Sequence, residues 1–211
     1  VKIIIIYVLL ILVAMQVIGV YFTRTLEGQL EANFDSALEE RSNLLAYNVG
    51  QEMAKDEEEE EKSLRLRINE LLLELFNMDN TEVQVIDSNS TVISVSNPNL
   101  RIVGQRTTDV SVKRALLGAK DEKTQIHPTT GHRTRVLSLP VYSEDKVIGA
   151  IYIEASMEEI YDQMEQINRI LMTGTVISII ITAILGIFLA QTITKPIVDM
   201  KRQAVAMGKG D

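Results

Sequence analysis

The sequence predicts an α+β domain of about 100 residues held between two membrane-spanning helices. Three observations predict it. From Ile3 to Phe22 the only strongly polar side chain is Gln16, and from Ile170 to Thr194 there is no charge at all. A membrane helix needs about 20 such residues, more than a soluble core helix usually supplies. Between these blocks the hydrophobic period changes from helical to two, which marks strands. The third observation is charge: the 211 residues carry 21 Lys plus Arg against 29 Asp plus Glu, a net of −8. A simple soluble globular protein is excluded by the apolar blocks. The acidic balance argues against nucleic acid as a direct partner, since phosphate binding needs a basic face.

The first block, residues 1–23, is too long for a signal-peptide core and lacks an A-x-A-like site, so a true spanning helix is expected. Residues 24–169 carry 16 basic and 27 acidic side chains, whereas Lys2 precedes the first block and residues 195–211 hold Lys195, Lys201, Arg202 and Lys209 against Asp199 and Asp211. Short basic flanks stay inside, so both termini are expected to be cytoplasmic and residues 24–169 extracytoplasmic. The absence of cysteine fits an exported domain that does not rely on disulfides. The chain begins without Met and stops at Gly210-Asp211, and it is expected to be a piece of a longer protein.

Residues 24–55 repeat Leu26, Leu30, Phe34, Leu38, Leu45 and Val49 near the helical period, a stalk helix continuing outward. An acidic connector at 56–62 follows, with six consecutive acids from Asp56 to Glu61. It lacks the alternating oxygen ligands of a calcium loop and reads as a solvated segment. The expected sensor domain, 63–156, opens with an amphipathic helix carrying Leu64, Ile68, Leu71, Leu72, Leu75 and Phe76. Val83–Ile86 and Val92–Val95 are strands joined by the turn-favouring Asp87-Ser88-Asn89-Ser90. Asp109 can cap a short helix ending at Gly118. Strands are expected at 123–127, 132–142 and 146–155, the last two joined by Ser143-Glu144-Asp145, with Val147, Gly149, Ile151 and Ile153 on one face. The sum is a five-stranded antiparallel sheet.

The exit segment 157–169 places Met157, Ile160, Met164, Ile167 and Leu171 at coiled-coil spacing, so the domain should pass into the second spanning helix, 170–194, as one rod. There Gly174, Ser178, Thr182, Gly186 and Ala190 recur every four residues, the small-residue spacing that lets helices approach closely. Gln16 could hydrogen-bond across the same bundle. Pro196 then interrupts the helix, and Ile197, Met200, Ala204 and Met207 begin a new seam. Two spans, an outer domain and a Pro-jointed inner coiled coil form a signalling architecture.

Thr194-Lys195-Pro196-Ile197 with its seam resembles the first helix of a HAMP relay domain. Ile6–Leu10 and Ala14–Phe22 resemble the first membrane helix of the WalK (YycG) sensor histidine kinases of low-GC Gram-positive bacteria, and Val147–Glu154 and Thr192–Met200 fit that family too. The resemblance implies a PAS-like (single-CACHE) outer domain and a homodimer. It also implies a missing cytoplasmic half with a kinase core that uses ATP and magnesium. The implied output is phosphotransfer to a response regulator of cell-wall metabolism, with membrane regulatory proteins as further partners. None of the kinase motifs lies in this chain, so it is not expected to be an enzyme by itself. The alternatives are the input half of a chemoreceptor or membrane cyclase, or a non-signalling membrane adaptor.

Other candidates carry less. His127 and His132 face each other across Pro128–Gly131 and could bind a metal or sense pH, but without a third ligand exposed loop residues are preferred and no metal is expected. Arg133 and Arg135 share a strand face and could clamp an anion, although Leu137, Leu139 and Val141 on that face argue that part of it is core. Asn89-Ser90-Thr91 matches a glycosylation acceptor and is discounted by the bacterial resemblance. No nucleophilic triad or phosphate loop appears in the outer region.

Overall fold

The computed structural model describes residues 2–55, 61–76, 80–189 and 191–192. Its elements are helices α1 (Lys2–Ala54) and α2 (Glu61–Leu75), strands β1 (Thr81–Asp87) and β2 (Val92–Val95), helix α3 (Val110–Leu116), strands β3 (Asp121–Ile126), β4 (Arg133–Ser143) and β5 (Lys146–Ser156), and helix α4 (Glu158–Leu189). Two compact units emerge, one of residues 1–29 and 162–211, the other of residues 30–161.

The unit 30–161 is built on one antiparallel sheet in the order β2-β1-β5-β4-β3. All five expected strands form, with ends displaced by one or two residues. One face of the sheet buries a core of Leu45, Val49, Ile68, Leu72, Val83 and Ile151 between the strands and helices α1 and α2. Fully burying side chains of this size stabilises by about 1.5–3 kcal/mol each. The region expected to be a stalk is therefore partly a core element: Leu38, Leu45 and Val49 are buried because α1 lies along the sheet. Ser42, on the same stripe, is also fully buried, and its hydroxyl donates to the Leu38 carbonyl one turn back. Gly50 lets α1 come close, since a Cβ there would collide with the Tyr142 carbonyl oxygen. Gly149 does the same for the strands, since its Cβ would lie 2.5 Å from the Ile86 carbonyl oxygen.

On the opposite face α3 packs through Val112 and Ala115 over Ile86, Val92, Val136 and Tyr152. Asp109 caps α3 as expected, accepting a hydrogen bond from the Ser111 amide at 2.7 Å. The chain leaves through Gly118 at φ +88°, a left-handed conformation that suits glycine. The Ser111 hydroxyl and the Arg114 guanidinium hold the Asp121 carboxyl below the usual carboxylate range.

Two bulges change the phase of the strands. Pairing shifts between Val85 and Ile86 opposite β2, and between Val141 and Tyr142 opposite β5. The second corrects one expectation. Ile151 and Ile153 do face α1 and α2, and Gly149 lies against Met53, but Val147 is on the other side, near Gly118. The extra residue in β5 is Ile148, which packs into the α1 core instead.

In the other unit, the apolar stretches of α1 and α4 are long and apolar enough to cross a membrane, and neither is buried inside the structure. Side chains such as Ile6, Leu10, Ile180 and Phe188 lie open, as lipid-facing residues must. The π-helical Gln191–Thr192 follows α4.

Candidate functional site

Basic residues of β4, and Lys120 just before β3, meet a stripe of acids on α1. Glu31, Asp35 and Glu39 recur every four residues, which places them on one side of the helix. Arg135 grips Asp35 with two nitrogens, Nε lying 2.8 Å from Oδ1, and a third nitrogen donates to Thr124 Oγ1 at 2.6 Å. Forked pairs of this kind fix orientation as well as distance. Lys120 Nζ pairs with Glu39, whose hydrogen bond and charge push the lysine above its ordinary value. Arg133 donates to Tyr161 Oη at 2.9 Å and lies 5.3 Å from the centre of its ring. The Tyr161 hydroxyl in turn donates to Glu31 Oε1 at 3.1 Å. A strand, the root of α4 and α1 thus share one polar joint. The two arginines expected to meet an anion are engaged with the protein's own acids and a tyrosine.

His127 and His132 close the β3–β4 turn, where the His127 amide donates to the His132 carbonyl at 2.9 Å. The His127 ring accepts at Nδ1 from the Thr129 and Thr130 amides, both at 3.3 Å. His132 Nδ1 lies 2.8 Å from Glu158 Oε2, in the first turn of α4. Both histidines line a cavity of about 200 Å³ together with Glu82, Thr134, Glu154 and Glu158. Glu82 and Glu154 sit directly opposite one another on β1 and β5. Further along this face, burial pushes the Tyr152 phenol upward, and the Glu154, Asp109 and Glu82 carboxylates add to the effect. Among the described residues, no group of three or more His, Cys, Asp or Glu is placed to hold a metal ion.

In the membrane unit, Gln16, Gly19, Gly174, Thr175 and Ser178 line one cavity of about 700 Å³ between α1 and α4. Gln16 and Gly174, the first residue of the small-residue stripe, therefore line the same cavity. Thr182 and Gly186 continue that stripe on α4, and the Thr182 hydroxyl donates to the Ser178 carbonyl at 2.7 Å. Ala190, Pro196, Ile197, Met200, Ala204 and Met207 lie outside the described residues, as do most of the acids of the connector. The acid stripe of α1 was not singled out from sequence, although its four-residue spacing was visible there.

Residues 67–155 match the Cache_WalK family model, described as the WalK sensor protein kinase Cache domain. The whole chain aligns with the sensor histidine kinase WalK of Bacillus subtilis at 36% identity, and with the sensor protein kinases WalK of Staphylococcus aureus at 38% and Staphylococcus epidermidis at 37%. It spans 35% of the length of each of these relatives. Among solved structures, the ligand-binding domain of the Campylobacter jejuni chemoreceptor Tlp3 in complex with 4-methylisoleucine is similar with a TM-score of 0.53 at 14% identity, over 71% of this chain and 61% of that one. The sensory domain of Tlp3 with isoleucine bound gives 0.52, over 67% and 59%. These likenesses establish a Cache-type fold for the outer domain. With that fold, two membrane-length helices and an alignment that runs from end to end, the chain matches the sensor and membrane portion of the WalK sensor kinases, and residues 67–155 carry their Cache domain.

Proposed function

We propose that this chain is the signal-input and membrane-relay part of a two-component sensor histidine kinase. The observation that carries the proposal is α4: its approach, at Met157 and Ile160, is buried in the outer domain, and the same helix runs on to Leu189 through a membrane-length apolar stretch. A change in the packing of residues 30–161 then has a helix through which to act. Lys2 and the basic residues of 195–211 support cytoplasmic termini, with residues 24–169 outside. The cavity between α1 and α4 and its small-residue wall support a homodimer whose helices fill that space.

The seam Ile197, Met200, Ala204 and Met207 behind Pro196 is the start of a HAMP relay with two packings, biased by a few kcal/mol from outside. In the parent protein the output is ATP- and magnesium-dependent phosphorylation of a histidine, followed by transfer to a response regulator of cell-wall metabolism. Single cysteines at 197, 200, 204 and 207 in membranes should crosslink strongly, and those between them weakly. A flat profile along the segment sinks the relay.

A further inference from the structure

The two histidines of the β3–β4 turn are the only ones in the chain, and they are wired oppositely. His127 Nδ1 accepts two turn amides, which requires that nitrogen to be unprotonated. His132 Nδ1 faces the Glu158 carboxylate at 2.8 Å, where it must carry a proton to donate. The two rings therefore respond in opposite senses to a proton. We infer that this turn is a proton-responsive clasp on the first turn of α4, tightened when His132 is charged and loosened when it is neutral.

The charges around the clasp support that direction. Glu158 faces His132 from α4, Glu154 from β5 and Glu82 from β1, all on one cavity of about 200 Å³. The neighbouring cation, Arg133, is turned to Tyr161. An imidazolium here sits among carboxylates, and its bond to Glu158 joins a cation to an anion, which adds Coulomb attraction to a hydrogen bond whose acceptor is already charged. Deprotonation leaves His132 at most a hydrogen bond from a neutral imidazole to the Glu158 carboxylate, without the attraction between cation and anion, and restores the acceptor at His127 that ties the turn to itself. An imidazole changes charge between about pH 5 and 8, where ordinary carboxylates stay ionised.

The second contact of this turn with α4, Arg133 to Tyr161, keeps its charge throughout. Titration therefore loosens the His132 attachment while the Arg133 contact stays. Its regulatory meaning rests on α4 being the relay helix, but the clasp is tested without any kinase output, so the two readings can fail separately.

The chain has no cysteine, so a spin-label pair at Thr129→Cys and Glu159→Cys is unambiguous. In the full chain in lipid nanodiscs, electron–electron distance measurements should give a narrow distribution at about pH 5.5 and a broader one at about pH 8. His132→Gln and, independently, Glu158→Gln should abolish the difference, whereas His127→Gln should keep a pH response. Superimposable distributions at the two pH values overturn the inference. So does a response that survives both His132→Gln and Glu158→Gln, or one that depends on His127 alone.

Discussion

The two faces of the central sheet are built on different terms. Toward α1 and α2 the strands present Val83, Val85, Leu137, Leu139, Ile151 and Ile153, and two helices cover them from end to end of a continuous core. Toward α3 only one end is apolar, at Ile86, Ala150 and Val136. Beyond it the floor is polar: Glu82 faces Glu154, Asn97 donates to Glu82 at 3.3 Å, and Thr134 and Gln125 donate to Glu154, each also at 3.3 Å. Like charges directly opposite on neighbouring strands cost stability. The first face holds the fold together, and the second carries the groups whose charge can change. A sheet shared in this way can alter its polar end while its packed side stays fixed.

That contrast can be broken most severely from the packed side. Ile68 is fully buried under the sheet, so Ile68→Ala should lose about 2–5 kcal/mol, read as a lower urea midpoint by circular dichroism. Gly149→Ala inserts an atom 2.5 Å from the Ile86 carbonyl oxygen, which backbone must move to accept, and should cost about 1–3 kcal/mol in the same measurement. The polar floor should answer with the opposite sign. Glu82→Gln keeps the acceptor for Asn97 but removes one of two facing charges, and should gain about 0.2–1 kcal/mol near neutral pH. A loss at neutral pH would mean that the floor draws its stability from that charge.

Most strands were legible because Val, Ile and Leu alternate with polar residues in them, as in Thr134–Val141, and the cap at Asp109 was legible because its chemistry is local. The rest depends on partners distant in sequence. Arg135 and Asp35 are 100 residues apart, so the spacing of the arginines indicated a shared face but not that α1 supplies their acids. The helix expected to be a stalk displays the same period whether it stands free or lies on a sheet; only Gly50 and the buried Ser42 betray a close approach. Val147 was misplaced because a bulge cannot be read from alternation alone. The clasp was half legible: the two histidines were visible, but Glu158 enters only when α4 folds back beside the turn.

The bulge at Ile148 also partitions the β4–β5 hairpin for change. Because the extra residue absorbs the mismatch in phase, Tyr142 and Val147 at the tip are oriented independently of Leu139 and Ile151 below them. A residue gained or lost in the tip, around Glu144 and Asp145, would reset what that end presents to α3 without renumbering the pairs deeper in the sheet. The tip is free to diversify, while the strands beneath it keep their partners.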